Sequence, residues 1–152
     1  MLPTVESGVR GKRHVFQLRA PLGLRGAGFL TVHLSSGKQV AVELKPREVK
    51  LLFALGKARL EDATLEVAEA RGWRSRDRIA WQIAQWTGYC VGEAAMSAYV
   101  VKLLHKVSEA VSAASSGEKI PLIERRRHLG FRLAEDVEME IIDGNLHEEG
   151  CG

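Results

Sequence analysis

The side chains in this chain best suited to chemistry are closely spaced cations, and the chemistry they offer is the binding of anions. Arg125, Arg126 and Arg127 stand in a row, and Arg132 follows shortly after them. On a strand consecutive side chains alternate sides, so at most two of the three share a face. One or two could then reach phosphates or a minor groove, and Arg132 could do the same from a return strand. The alternative is charge that keeps an edge strand from pairing with other chains. Lys102, His105 and Lys106 recur at the three- and four-residue spacing that gathers side chains on one face of a helix. There they could touch phosphates or base edges, and Ala98 and Val101 on that face could meet thymine methyl groups. A merely solvated helix face would look the same. Arg76 and Arg78 follow Ser75 at the start of a helical stretch, where free backbone amides already favour anions, although ordinary surface charge is an equal reading.

Other chemistry is poorly served. The five histidines (His14, His33, His105, His128, His147) lack metal-ligand spacing, and no glycine-rich phosphate loop occurs. Cys90 has no activating neighbour in sequence and reads as a small buried residue. Neither catalysis nor a cofactor nor a metal is expected. With 152 residues, 45% apolar and 27% charged, the chain has the composition of one ordinary globular domain. No apolar run is long enough for a membrane span, and the first residues lack the layout of a secretory signal. Two distant cysteines, Cys90 and Cys151, suggest a reducing, cytoplasmic compartment.

The net charge of +3 conceals a division. All 22 Lys and Arg but only 12 of the 19 Asp and Glu lie within residues 1–134, leaving that part at +10. The remaining seven acids and no base lie in 135–152. A basic body with an acidic tail suits a polyanionic partner for the body.

These cations need elements to hold them. Residues 1–12 read as a flexible basic leader. Apolar alternation predicts strands over His14–Arg19, Phe29–Leu34 and Gln39–Leu44, the last two joined by a Gly37 turn, giving an N-terminal antiparallel sheet. Helical periodicity starts after Lys45 with Pro46 and is expected to stop at Gly56. Thr64–Ala70 reads as a second, shorter helix, and Ser75 caps a third over Arg76–Trp86 that ends at Gly88. A long helix over Glu93–Ala114 buries Val100, Leu103, Leu104, Val107 and Val111 and is broken by Ser115-Ser116-Gly117. Residues 119–125 and 129–133 form a final ribbon. Residues 135–152 make an acidic tail that could be disordered, add a strand, or dock on the basic face.

In this order of elements the chain resembles the winged helix-turn-helix output domain of OmpR/PhoB-type response regulators, over roughly residues 29–134. Leu44-Lys45-Pro46-Arg47-Glu48-Val49-Lys50-Leu51-Leu52 is similar to the family's Leu-Thr-Pro-x-Glu-Phe-x-Leu-Leu. Ser75-Arg76-Asp77-Arg78-Ile79 resembles Ser-Arg-Glu-x-Leu, and Val100–Val107 resembles the recognition-helix core. Ile123–Leu133 is similar to the wing, Ile-x-Thr-Val-Arg-Gly-x-Gly-Tyr-Arg-Leu. Four departures stand out. Leu104 occupies the place of an arginine, and His128 that of the wing's first glycine. Residues 57–74 lengthen the link between two helices, and residues 1–28 leave no room for a receiver.

The resemblance implies an α+β winged helix that binds double-stranded DNA as a transcriptional regulator. Its helix Glu93–Ala114 would enter the major groove, and its wing would lie on the backbone. The DNA-contacting set would be Arg76, Arg78, Lys102, His105, Lys106, Arg125, Arg126, Arg127 and Arg132. A homodimer is expected, because one such module buries little surface and reads few bases. The competing expectation is a protein-interaction module on the same scaffold. Leu104 and Val101 on or near the reading face favour it, as does the tryptophan-rich stretch Trp73–Trp86. Fold alone does not choose between them.

Overall fold

The computed structural model describes residues 14–21, 23–88, 92–114 and 120–142. The expected leader (1–12), the break at 115–117 and the tail end from 143 onward lie outside the described residues, as do Tyr89 and Cys90.

Alternation in the first 44 residues produces strands β1 (His14–Arg19), β2 (Gly28–His33) and β3 (Gln39–Leu44), paired antiparallel in sequence order. Phe16 and Leu18, Leu30 and Val32, and Val42 and Leu44 point to one side and are buried there. Their withdrawal from water, roughly 1.5–3 kcal/mol for each large side chain, is what holds the sheet to the helices. Beyond β1 the sheet gains a strand that breaks the antiparallel expectation. Val137–Ile142 (β6) lies parallel to β1, pairing His14 with Val137 through Arg19 with Ile142, so the sheet order is β3-β2-β1-β6. The first part of the acidic tail is therefore sheet. Val137 is fully buried, and Met139 and Ile141 pack on the core, while Glu138 and Glu140 face solvent.

Three helices complete the core: α1 (Pro46–Glu61) and α3 (Glu93–Ala114) pack against β3, and α2 (Arg76–Thr87) packs against α1 and α3. Pro46 opens α1, and the Glu48 carboxylate accepts the Lys45 backbone N–H at 2.8 Å, satisfying a donor that the first turn leaves free. The expected stop at Gly56 does not occur. The helix runs through it because a single glycine costs only about 1 kcal/mol, less than burial of the flanking apolar residues returns. Leu51, Leu52, Phe53, Leu55 and Ala58 are all buried on either side of it. Ser75 caps α2, its hydroxyl accepting the Arg78 N–H at 3.2 Å, and Gly88 ends it in a left-handed conformation. In α3, Met96, Val100, Leu103, Val107 and Val111 form the buried stripe, with Leu104 half-buried at its margin.

The short helix expected over Thr64–Ala70 is only a 3₁₀ turn at Ala68–Ala70. Residues 62–74 instead make a strap held by polar contacts. Arg74 reaches Glu61 and Asp62, each at 3.0 Å, and Asp62 also accepts the Gly72 N–H at 2.8 Å. The strap ends against the last hairpin, β4 (Ile123–Arg126) and β5 (Gly130–Leu133), where Arg74 and Phe131 exchange backbone hydrogen bonds. At the hairpin's turn Gly130 has φ +99, and a Cβ there would lie 2.1 Å from the Arg74 carbonyl oxygen. Only glycine fits so close an approach. From α1, Arg59 donates to the carbonyls of Leu133, Ala134 and Val137, fixing the bend between β5 and β6. Among the described residues no helix is long and apolar enough to cross a membrane.

Candidate nucleic-acid interface

The hairpin's arginines face the start of α2 across an open cleft of ≈ 540 Å³. Arg125, Arg126, Arg127 and His128 line it from the hairpin; Ser75, the cap of α2, Arg76 of α2 and Ser97 of α3 line it from the helices. The serine cap, the glycine-tight turn and the Arg74–Phe131 bridge together set this distance, so segments some fifty residues apart in sequence meet with like charge. Arg125, Arg126, Arg127 and His128 are all exposed. Arg76 is steadied by Ser97, whose hydroxyl accepts its guanidinium at 3.0 Å. Five cationic or protonatable side chains around one concavity, beside the free amides of a helix start, create an anion-attracting field.

Like charge so close needs a frame that does not itself depend on an anion, and the base of the hairpin supplies it. Arg132, expected to reach phosphate, is only 6% exposed. Its guanidinium pairs with Glu124 at 2.8 Å and Glu135 at 3.6 Å, and donates to the carbonyls of Ala68, Glu69 and Arg71. The residue is a clamp between strap and hairpin and leaves the contact set. Its position is opposite Glu124 on the neighbouring strand, an opposite-charge pair that stabilises the ladder.

Lys106 also leaves the set. Its ammonium lies 2.7 Å from the Glu48 carboxylate, which is 3% exposed, and 3.1 Å from the Glu43 carbonyl. A buried carboxylate requires a partner, and Lys106 is the one that α3 brings to α1. Lys102 and His105 do lie on the exposed face of α3, next to Ala94, Ala98 and the half-exposed Val101. His105 Nε2 is 3.1 Å from Glu109, one turn on. Leu104 packs against the core rather than on that face.

Arg78 is separated from the cleft. It lines a different groove between α1 and α2, with Ala54, Ala58, Ile79 and Trp81. Trp81 is 58% exposed there, whereas Trp86 packs on the core. Trp73 lies against the hairpin, where it meets two of the arginines: the Arg132 and Arg126 guanidiniums sit 4.6 Å and 5.6 Å from its ring centroid. Of the nine residues expected at the site, the cleft gathers Arg76, Arg125, Arg126 and Arg127. Lys102 and His105 stand on the exposed face of α3, and Arg78, Lys106 and Arg132 lie elsewhere or are engaged.

The carboxylates that hold the strap are electrostatically set. A hydrogen bond from Arg74 is the main cause keeping Asp62 below its ordinary pKa. Glu61 is lowered first by Lys57, at 2.7 Å, and then by Arg74. Among the described residues, no three His, Cys, Asp or Glu side chains converge as a metal site requires. No protein-family model matches the chain, and no curated protein or solved structure is significantly similar to it.

Proposed function

We propose that this chain is a winged helix-turn-helix protein that binds double-stranded DNA and regulates transcription. The observation that carries the reading is the cleft shared by Arg76, Arg125, Arg126, Arg127 and His128, next to the exposed face of α3. In this reading α2 and α3 form the helix pair and β4–β5 the wing. Lys102, His105, Ala98 and Val101 of α3 face the major groove, while the hairpin and Arg76 hold phosphates. Two such modules, as a homodimer, would read enough bases for a specific site.

The test is a salt titration of binding to random duplex DNA. Affinity should fall steeply with salt, and Arg126→Ala or Arg127→Ala should each reduce the log–log slope by about 1. Absence of binding at low salt would sink the proposal. One observation favours a second reading, a protein-interaction module: a groove where exposed Trp81 stands with Ala54 and Ala58 among charged Lys57, Glu61 and Arg78. Under that reading Trp81→Ala would abolish partner capture, and changing the hairpin arginines would not.

A further inference from the structure

The three hairpin arginines are not held alike. Arg125 and Arg127 are exposed, and among the described residues neither makes a ring contact or an ion pair. Arg126 is exposed too, yet its guanidinium lies over the Trp73 ring, 5.6 Å from the centroid. It shares the strand face of Glu124 and Arg132, because side chains two apart on a strand point the same way. That ring is itself immobilised. Trp73 is 9% exposed, and its Nε1 donates to the Glu69 carbonyl at 2.9 Å. On the same ring lies the buried guanidinium of Arg132, which is tied to the strap's carbonyls and to Glu124. The strap, an insertion between α1 and α2, thus ends in a rigid aromatic platform under one arginine of the cleft.

We propose that Trp73 is a positioning residue for DNA contact: it holds Arg126 against its ring, so that this cation meets phosphate already placed. The inference rests on the DNA reading above. An unrestrained arginine gives up rotamer freedom on binding, and one already stacked gives up less. Cation–π attraction leaves the edge N–H donors of a stacked guanidinium free to bond an oxygen. Among the described residues no carboxylate is paired with Arg126, so its charge stays available to a ligand. Arg132, on the same ring, is buried and tied to Glu124 and the strap's carbonyls, and supplies support only.

Two measurements on the full chain test this. Without DNA, relaxation of the arginine side-chain Nε–H groups should show Arg126 more ordered than Arg125 and Arg127; equal mobility overturns the proposal. With a random duplex at low salt, Arg126→Ala should weaken binding about tenfold in the otherwise natural chain, but less than about twofold when Trp73→Leu is also present. Arg127→Ala should cost the same in both backgrounds. Trp73→Phe keeps a ring and should restore most of the Arg126 effect. Should Trp73→Leu fail to fold, Trp73→Tyr and Trp73→Phe replace it, and the Arg126 effect should then decline from Trp through Tyr to Phe. An Arg126 effect independent of residue 73 overturns the proposal. If the natural chain binds no duplex at all, the DNA reading falls, and the side-chain relaxation alone decides whether Trp73 orders Arg126.

Discussion

At the base of the β4–β5 hairpin, Arg132 is buried between Glu124, Glu135, three backbone carbonyls and the Trp73 ring. At its tip, Arg125, Arg126, Arg127 and His128 stand in solvent around a concavity with Arg76. The residue type is the same, but the solvation is not. At the base the guanidinium is held by Glu124 and by backbone carbonyls that folding brings into place, so the charge is spent on structure. At the tip the hairpin arginines are exposed and, among the described residues, form no ion pair with a carboxylate. Charge counted along a sequence therefore overstates the number of cations available to a ligand, and burial decides which of them remain.

The contrast is open to attack from the base first. Arg132→Ala removes one partner from a buried ion pair and unties the strap, and should destabilise the fold by about 3–5 kcal/mol. A denaturant midpoint that barely moves would mean the base is not the frame described. Lys106→Ala comes next. It strands the Glu48 carboxylate, whose remaining partner is the Lys45 N–H, and should cost roughly 1–3 kcal/mol. The double change with Glu48→Gln should cost less than Lys106→Ala alone.

Acid gives a smaller and more graded effect. Asp62 and Glu61 have lowered pKa values in the folded state, so the unfolded chain binds protons at higher pH than the folded one does. The stability they contribute is complete above about pH 5, past the ordinary values of 4.5 and 3.8, and is lost as pH falls through the folded values. Thermal midpoints should therefore drop in that window, and Asp62→Asn should flatten part of the drop. The tip comes last. Arg127→Ala should change stability by less than about 0.5 kcal/mol while lowering the salt slope of DNA binding. A large loss of stability there would erase the distinction between tip and base.

Much of the framework was legible in the residues because its signals are local. Pro46 after Lys45, Ser75 before Arg76 and Gly88 mark helix ends through capping chemistry that acts within one turn. The α3 stripe and the β2–β3 hairpin follow from periodicity alone. Gly56 misled because a breaker is a local tendency, and α1 is held by burial on both sides of it. Thr64–Ala70 has helical residue types, but the ties of Asp62 to Gly72 and Arg74 hold the segment as a strap. The ring contacts of Trp73 had no sequence signal, since the arginines on its ring come from strands about fifty residues later. Arg59 is similar: its acceptors are carbonyls in a bend more than seventy residues away.

By itself the sequence determined where most helices and strands begin, which faces are apolar, and that the basic charge precedes the acid. Those properties depend on neighbours within a turn or a strand, which are always present. Only the tertiary structure decided that Val137–Ile142 completes the sheet beside β1, that Lys106 and Arg132 serve the scaffold, and that Arg76 joins the hairpin's arginines. Each of these outcomes turns on whether a charge or a strand edge finds a distant partner on folding, and that partner is fixed by packing.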